Sequence, residues 1–262
     1  MIQIGMRKIG YGYPTFVVAE AGVAHNGSID IAKQLVDVAV KAKCDAVKFQ
    51  TFKRTKDDFP DISMDEFQRF RNIPNLSYDE FIEIKQYCDS KHIIFFSTPH
   101  SLGAIDFLAD IVPVYKIASP SLTRDYFVKR VRVKGKPIIA STGSITSENR
   151  RASIEEINHF LTLVTNNVAL LYCISKYPCY EFDRKSYIEF RDRYDAYPTG
   201  LSSHSKDIEY SLLATELGAS IIEQHITLDD DFPCPDKNVS LNPYELGELV
   251  RCIRLIDEGN EK

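Results

Sequence analysis

His204 and His225 each sit just past a short apolar run, in GLSSHS and ASIIEQHITL. Neutral imidazoles that converge with open coordination positions make a candidate divalent-metal site. Two lysines keep equally unusual company. Lys48 in AVKFQ and Lys116 in VYKIA are flanked by apolar residues on both sides, and a buried ammonium needs a partner anion. Two of them together argue for an anionic ligand. The ends of the other apolar runs carry Glu20, Gln50, Thr98, Ser119, Ser141 with Thr142, Ser175 with Tyr177, Ser202 and Glu223. Ammonium and hydroxyl donors suit a compact phosphate or carboxylate. The combined reading is a small, doubly anionic substrate plus a metal.

Each residue also has a plainer reading. A histidine ending a strand is commonly a hydrogen-bonded structural residue, and Lys48 or Lys116 could pair with Glu20 or Glu223 inside a core. Ser101, Ser147 and Ser205 read as N-caps of the helices that follow. His25 and Asn26 read as turn residues, His92 and His159 as surface helix positions, and His100 as weakly suggestive of a site. Phe52, Phe59, Phe67 and Phe70 read as packing of a loop.

The elements that must position these groups form a ladder. Residues 1–13 alternate apolar and polar and predict a short hairpin. Eight strands then follow: TFVVAE, DAVKFQ, IIFFSTP, VPVYKIA, KPIIAST, VALLYC, PTGLSS and ASIIEQH. Helices are predicted from about Asp30 to Ala42, from Ser77 with Glu80 as a capping-box pair, and over SLGAIDFLADI, SENRRASIEEINHFLTLV, RKSYIEFRDRY, SKDIEYSLLATELG and about Pro243 to Ile256. Residues 51–76 form a long polar and aromatic loop after strand two, of the kind that serves as a lid. Strands alternating with helices predict parallel βαβ units. Eight units without a GxGxxG turn favour a closed (β/α)8 TIM barrel over an open dinucleotide-binding sheet. One barrel domain over 1–262 accounts for the chain, with a charged tail after Ile256 expected to fray. In such a barrel, polar residues at the carboxyl ends of strands gather at one mouth and read as catalytic.

With 262 residues the chain has the length of one such barrel, and a net charge of −5 argues against a nucleic-acid partner. No apolar run approaches the roughly 20 residues that span a bilayer, and the first residues lack a signal-peptide core. The six cysteines are scattered, with no C-x-x-C pair. Cys44, Cys88, Cys173 and Cys252 lie in apolar stretches, as small hydrophobes do. This usage predicts a reducing, cytoplasmic setting.

VVAEAGVAHNGSIDIAKQLVDVAVKAKCDAVKFQTF resembles the opening of the sialic acid synthase (N-acetylneuraminate synthase) family. FFSTP, YKIAS, IIASTG, LLYCISKYP, GLSSHS, GASIIEQHITLD and PCPDKNVSLNP carry the resemblance in order from about Phe16 to Ile256. It implies a (β/α)8 barrel that condenses phosphoenolpyruvate with a sugar aldehyde to a 3-deoxy-ulosonic acid and releases phosphate. It further implies a divalent metal, Mn2+ with Mg2+ or Co2+ as alternatives, on His204 and His225. Lys48, Thr98 and Lys116 would then hold the phosphoenolpyruvate carboxylate. Ser119, Ser141 and Ser202 would hold its phosphate, with Ser175 able to donate a further hydrogen bond. Glu20, Gln50, Tyr177 and Asp236 would face the sugar, with Glu20 handling protons.

The chain departs from the family pattern at four points. Ser121 stands where a glutamate is usual, Ser175 replaces an asparagine, and His100 replaces a phenylalanine. The chain ends at Lys262, so the small antifreeze-like domain is expected to be missing. These departures predict an altered acceptor, or a separate protein as lid. A homodimer would have to form through the barrel. Two other readings stay open: a Schiff-base aldolase using Lys48 or Lys116, and a degenerate, non-catalytic paralogue that binds metal or phosphate and regulates or scaffolds.

Overall fold

A computed structural model describes residues 1–52, 72–164 and 167–259. Most of the long loop expected after strand two, with Phe59, Phe67 and Phe70, lies outside the described residues, as does the end of the tail. Strands β1 (Ile2–Ile4) and β2 (Arg7–Ile9) form the expected antiparallel hairpin. Its inward Ile2, Ile4 and Ile9 are buried in the core.

Eight parallel strands follow: β3 (Phe16–Gly22), β4 (Ala46–Thr51), β5 (Ile94–Pro99), β6 (Tyr115–Ile117), β7 (Ile138–Ser141), β8 (Val168–Cys173), β9 (Thr199–Ser203) and β10 (Ile221–His225). Their ladders run in the order β5-β4-β3-β10-β9-β8-β7-β6. β5 and β6 lie side by side at the one remaining seam without a ladder between them. The result is a nearly closed (β/α)8 barrel. All but two residues of these strands are buried, because helices cover the outside and side chains fill the inside. That burial is why the strands read as continuous apolar runs.

The helices are α1 (Ile29–Lys41), α2 (Tyr78–Ser90), α3 (Leu102–Leu108), α4 (Asp125–Arg132), α5 (Ile154–Leu163), α6 (Arg184–Arg193), α7 (Ile208–Glu216) and α8 (Pro243–Gly259). α1 begins where the Ser28 side chain accepts from the Ile31 amide, and it buries Ala32, Leu35, Val36 and Ala39 against the sheet. Ser77 and Glu80 form the expected capping box on α2, and Ser101 caps α3. Ser147 and Ser205 do not cap helices. The Ser147 hydroxyl instead donates to the Arg151 carbonyl within a turn. α5 starts later, on a Ser153–Glu156 capping box, and α7 starts on Asp207. α4 was not expected: its N-cap, Arg124, makes no capping hydrogen bond. No described helix is long and apolar enough to cross a membrane.

The amino-terminal end of the barrel is tied by charge. Asp45 accepts from Arg254 (2.7 Å), from Arg7 (2.8 Å) and from the Val17 amide (2.8 Å). Asp257 receives the amide and hydroxyl of Thr15 at 2.9 and 2.8 Å. Hairpin, β3 and α8 are thereby fastened together. Asp45→Asn should lower the free energy of unfolding by about 1–3 kcal/mol, since two guanidinium groups lose their anion. Urea titration checks this, and catalytic constants should stay at wild-type level because the tie lies opposite the mouth.

Candidate active site

Parallel register decides which side chains share a face. Glu20 pairs with Lys48 and His225, Lys48 with Phe96, Gln50 with Thr98, and Glu223 with Ser202 and Val18. Lys116 pairs with Ile139, two residues before Ser141 on β7, and Ser202 pairs with Cys173. All of these face the inside. A register bulge between Glu20 and Gly22 (φ +54°) ends the β3–β4 ladder. A side chain at Gly22 would crowd the Glu20 carboxylate at 3.2 Å and the Gln50 amide at 3.3 Å.

The inward groups line a cavity of about 400 Å³. It receives Glu20, Lys48, Gln50, Thr98, Lys116, Ser119, Ser141, Ser175, Tyr177, Ser202, His204, His225 and Asp236, but not Thr142, whose hydroxyl donates to the Leu171 carbonyl. His100 also lines it, stacked on Phe52 with ring centroids 4.4 Å apart. Ser121 is buried and does not line it. His25 is buried in its turn and accepts from the Gly27 amide, while His92 and His159 are exposed.

The floor carries four buried charges. Lys48 lies 2.6 Å from Glu20 and 3.7 Å from Glu223, and Lys116 lies 3.4 Å from Glu223. The anticipated ion pairs therefore form, and the cavity remains beside them. Lys48 also donates to Thr98 (3.1 Å), Lys116 to Ser141 (2.7 Å), and Gln50 to Glu20 (3.1 Å). Glu223, which the sequence offered only as an ion-pair partner for a lysine, serves both lysines at once. It accepts from Ser202 at 3.0 Å and faces both ammoniums, and its signal was a glutamate inside the apolar run IIEQH.

Burial raises the Glu20 pKa despite Lys48 beside it. Burial also opposes ionisation of Glu223, but Lys116 and Lys48 outweigh it and hold that carboxyl below its ordinary value. Burial lowers Lys116, against the pull of Glu223. Burial works the same way on Lys48, but there Glu20 and Glu223 prevail and its pKa is raised.

Hydroxyls crowd the β6–β8 side. Ser119 accepts from the Gly143 amide at 3.0 Å, and its own hydroxyl donates to the Cys173 sulfur at 3.6 Å. A Cβ on Gly143 would fall 2.3 Å from Ser175 Oγ and 2.7 Å from Ser119 Oγ. Gly143 thus keeps the hydroxyl cradle open, a role that no spacing in the sequence signals.

The two imidazoles sit side by side, with ring centroids 5.6 Å apart. His204 Nδ1 lies 2.8 Å from the Ile174 carbonyl. A carbonyl only accepts, so Nδ1 carries the hydrogen and Nε2 presents a lone pair, as an oriented metal ligand does. Burial and the neighbouring His225 push the His204 pKa down to about 3, which keeps the ring neutral. Asp236 Oδ2 lies 3.7 Å from His225 Nδ1. Among the described residues no group of three or more His, Cys, Asp or Glu forms a metal cage. The two neighbouring imidazoles are the side chains here that could hold a divalent ion.

The sequence profile of the NeuB family matches residues 35–261. An uncharacterised protein of Methanocaldococcus jannaschii is 38% identical over 98% of this chain and 75% of its own length. The N,N'-diacetyllegionaminic acid synthase of Legionella pneumophila is 32% identical over 95% of this chain and 74% of its own. The crystal structure of an N-acetylneuraminic acid (sialic acid) synthetase from Leptospira borgpetersenii, in complex with citrate, superposes with a TM-score of 0.88. It is 31% identical and covers 99% of this chain and 89% of its own.

His25 and His204, with pKa values lowered by burial to about 4 and about 3, stay neutral in the fold. The unfolded chain binds protons at these rings from about pH 6.5 downward, so stability should fall as pH drops from there toward 4. Each ring costs about 1.4 kcal/mol per pH unit in that window. Urea midpoints measured between pH 7 and 4 check this, and a flat profile would contradict neutral burial.

Proposed function

The chain belongs to the NeuB family, and from that premise and the cavity geometry we propose that it condenses phosphoenolpyruvate with a sugar aldehyde to a 3-deoxy-ulosonic acid. It is an enzyme, a carbon–carbon bond-forming synthase of the sialic acid synthase type. The observation that carries the substrate reading is the single cavity holding two ammoniums, a hydroxyl cradle and an imidazole pair.

Charge balance supports it. Lys48 and Lys116 are matched by Glu20 and Glu223, so the empty floor is close to neutral. Phosphoenolpyruvate brings roughly two and a half to three negative charges. Its binding needs added positive charge, and two features supply it: a divalent ion on His204 and His225, and a Glu20 that burial inclines to hold a proton. When bound, the ion would act as a Lewis acid on the aldehyde oxygen.

Lys48, Thr98 and Lys116 hold the carboxylate of phosphoenolpyruvate. Ser119, Ser141, Ser175 and Ser202 hold its phosphate, with Gly143 leaving room for it. Carbon three adds to the aldehyde carbon. Water adds its hydroxyl to carbon two, and its proton goes to the new alkoxide through Glu20. The carbon-two–oxygen bond then breaks, the hydroxyl proton passes to the leaving phosphate, and the keto acid remains. Gln50, Tyr177 and Asp236 orient the acceptor.

A second reading, a Schiff-base aldolase, has one observation in its favour: burial lowers the Lys116 pKa, which favours the nucleophilic amine. Borohydride trapping with pyruvate separates the two, because a covalent lysine adduct would reject the metal route. Phosphate release from phosphoenolpyruvate, screened with Mn2+ against hexosamines, hexoses and pentoses, should be aldehyde-dependent. Oxygen-18 in the carbon–phosphorus bridge should leave with the phosphate. His225→Ala should cut turnover at least a hundredfold with the fold retained. Lys116→Ala should raise the apparent Michaelis constant for phosphoenolpyruvate at least tenfold. Normal turnover in the first variant removes the metal assignment, and an unchanged dependence in the second removes Lys116 from the site.

A further inference from the structure

Tyr177 stands in the segment between β8 and α6, where no helix or strand holds it. The residue is exposed at the mouth, 54% accessible, yet its hydroxyl lies 2.7 Å from His204 Nε2. Because the hydrogen of His204 sits on Nδ1, facing the Ile174 carbonyl, Tyr177 must donate, and it takes the Nε2 lone pair. The Tyr177 ring also stacks on His204 at 3.9 Å between centroids and meets His225 edge-on at 5.9 Å. One side chain therefore covers both imidazoles.

We propose that Tyr177 is a displaceable cap on the ligand nitrogen of His204, so that loading a metal and freeing the Tyr177 hydroxyl into the cavity are one event. This rests on the metal reading given above. A lone pair cannot accept a phenol hydrogen and bind a cation at once, so the two states exclude each other. The cap has somewhere to go. The backbone on either side is anchored, Ser175 N to the Arg150 carbonyl (2.9 Å) and Cys179 N to the His204 carbonyl (2.8 Å), while the exposed residue between them can rotate its ring outward. Once released, the hydroxyl is available to a substrate oxygen. By linkage, whatever binds the freed hydroxyl tightens the metal by the same factor. The uncapped His204 is also the costlier state without metal, which disfavours a half-loaded site.

Mn2+ titration of the substrate-free enzyme, read by electron paramagnetic resonance of the free ion, tests this without turnover. Tyr177→Phe removes the hydroxyl and keeps the ring, and should bind Mn2+ roughly threefold to tenfold more tightly than wild type, the worth of one competing hydrogen bond. Wild type should also show a phenol difference spectrum on Mn2+ addition that the variant lacks. Equal affinity in the two proteins, or no phenol signal at saturation in wild type, overturns the cap. His204→Ala keeps the two readings apart. If it abolishes Mn2+ binding while Tyr177→Phe matches wild type, only the cap fails. If it binds as wild type does, the metal reading fails and the cap with it.

Discussion

Everything at the mouth of this barrel follows from placing two ammoniums and two carboxylates in one buried layer. Each charge alone would be expelled from such a site, and removing one partner of a buried pair costs about 3–5 kcal/mol. Lys48, Glu20, Glu223 and Lys116 are tolerated because parallel register brings them onto the inner face together. Neighbouring strands fix their spacing, and Thr98, Ser141, Ser202 and Gln50 take up remaining hydrogen-bonding capacity. A layer so balanced is stable without a guest, yet each ammonium can shift allegiance toward an incoming anion.

Much of this was legible in the amino-acid order. The eight strands announced themselves because burial on both faces leaves no polar alternation. Lys48 and Lys116 stood out as charges inside those runs. What stayed hidden depends on proximity across the barrel. Gly143 matters through Ser119 and Ser175, which come from other strand ends. The pairing of Glu223 with a lysine was legible, but its being shared by both lysines depends on strands that meet only in the fold. α4 escaped notice because it starts without a side-chain cap at Arg124 and its buried face includes the β-branched Val128 and Val131. Ser147 and Ser205 misled in the opposite direction: both are turn residues a few positions ahead of the real caps, Ser153 and Asp207.

The departures from the family pattern fall unevenly in space. Ser175 and His100 face the cavity, whereas Ser121 is buried outside it. Ser175 lies in the hydroxyl cradle beside Gly143, and His100 stacks on Phe52 at the cavity wall. Strand side chains and loop side chains thus meet in one cavity. The ammoniums and carboxylates ride on strands, whereas Ser175, Tyr177 and Asp236 ride on loops, the arrangement by which one barrel scaffold supports different chemistries.

The unlaced line between β5 and β6 has a mechanical meaning. Everywhere else around the ring, backbone amides and carbonyls fix the separation of adjacent strands. Along this line the two strands lie side by side without a ladder between them. β5 carries Thr98, the partner of Lys48, and β6 carries Lys116, the partner of Ser141. The soft joint of the cylinder therefore runs between these two donor pairs, and a slight spreading there alters the gap between the ammoniums while the hydrogen-bonded arc from β7 round to β4 keeps its shape.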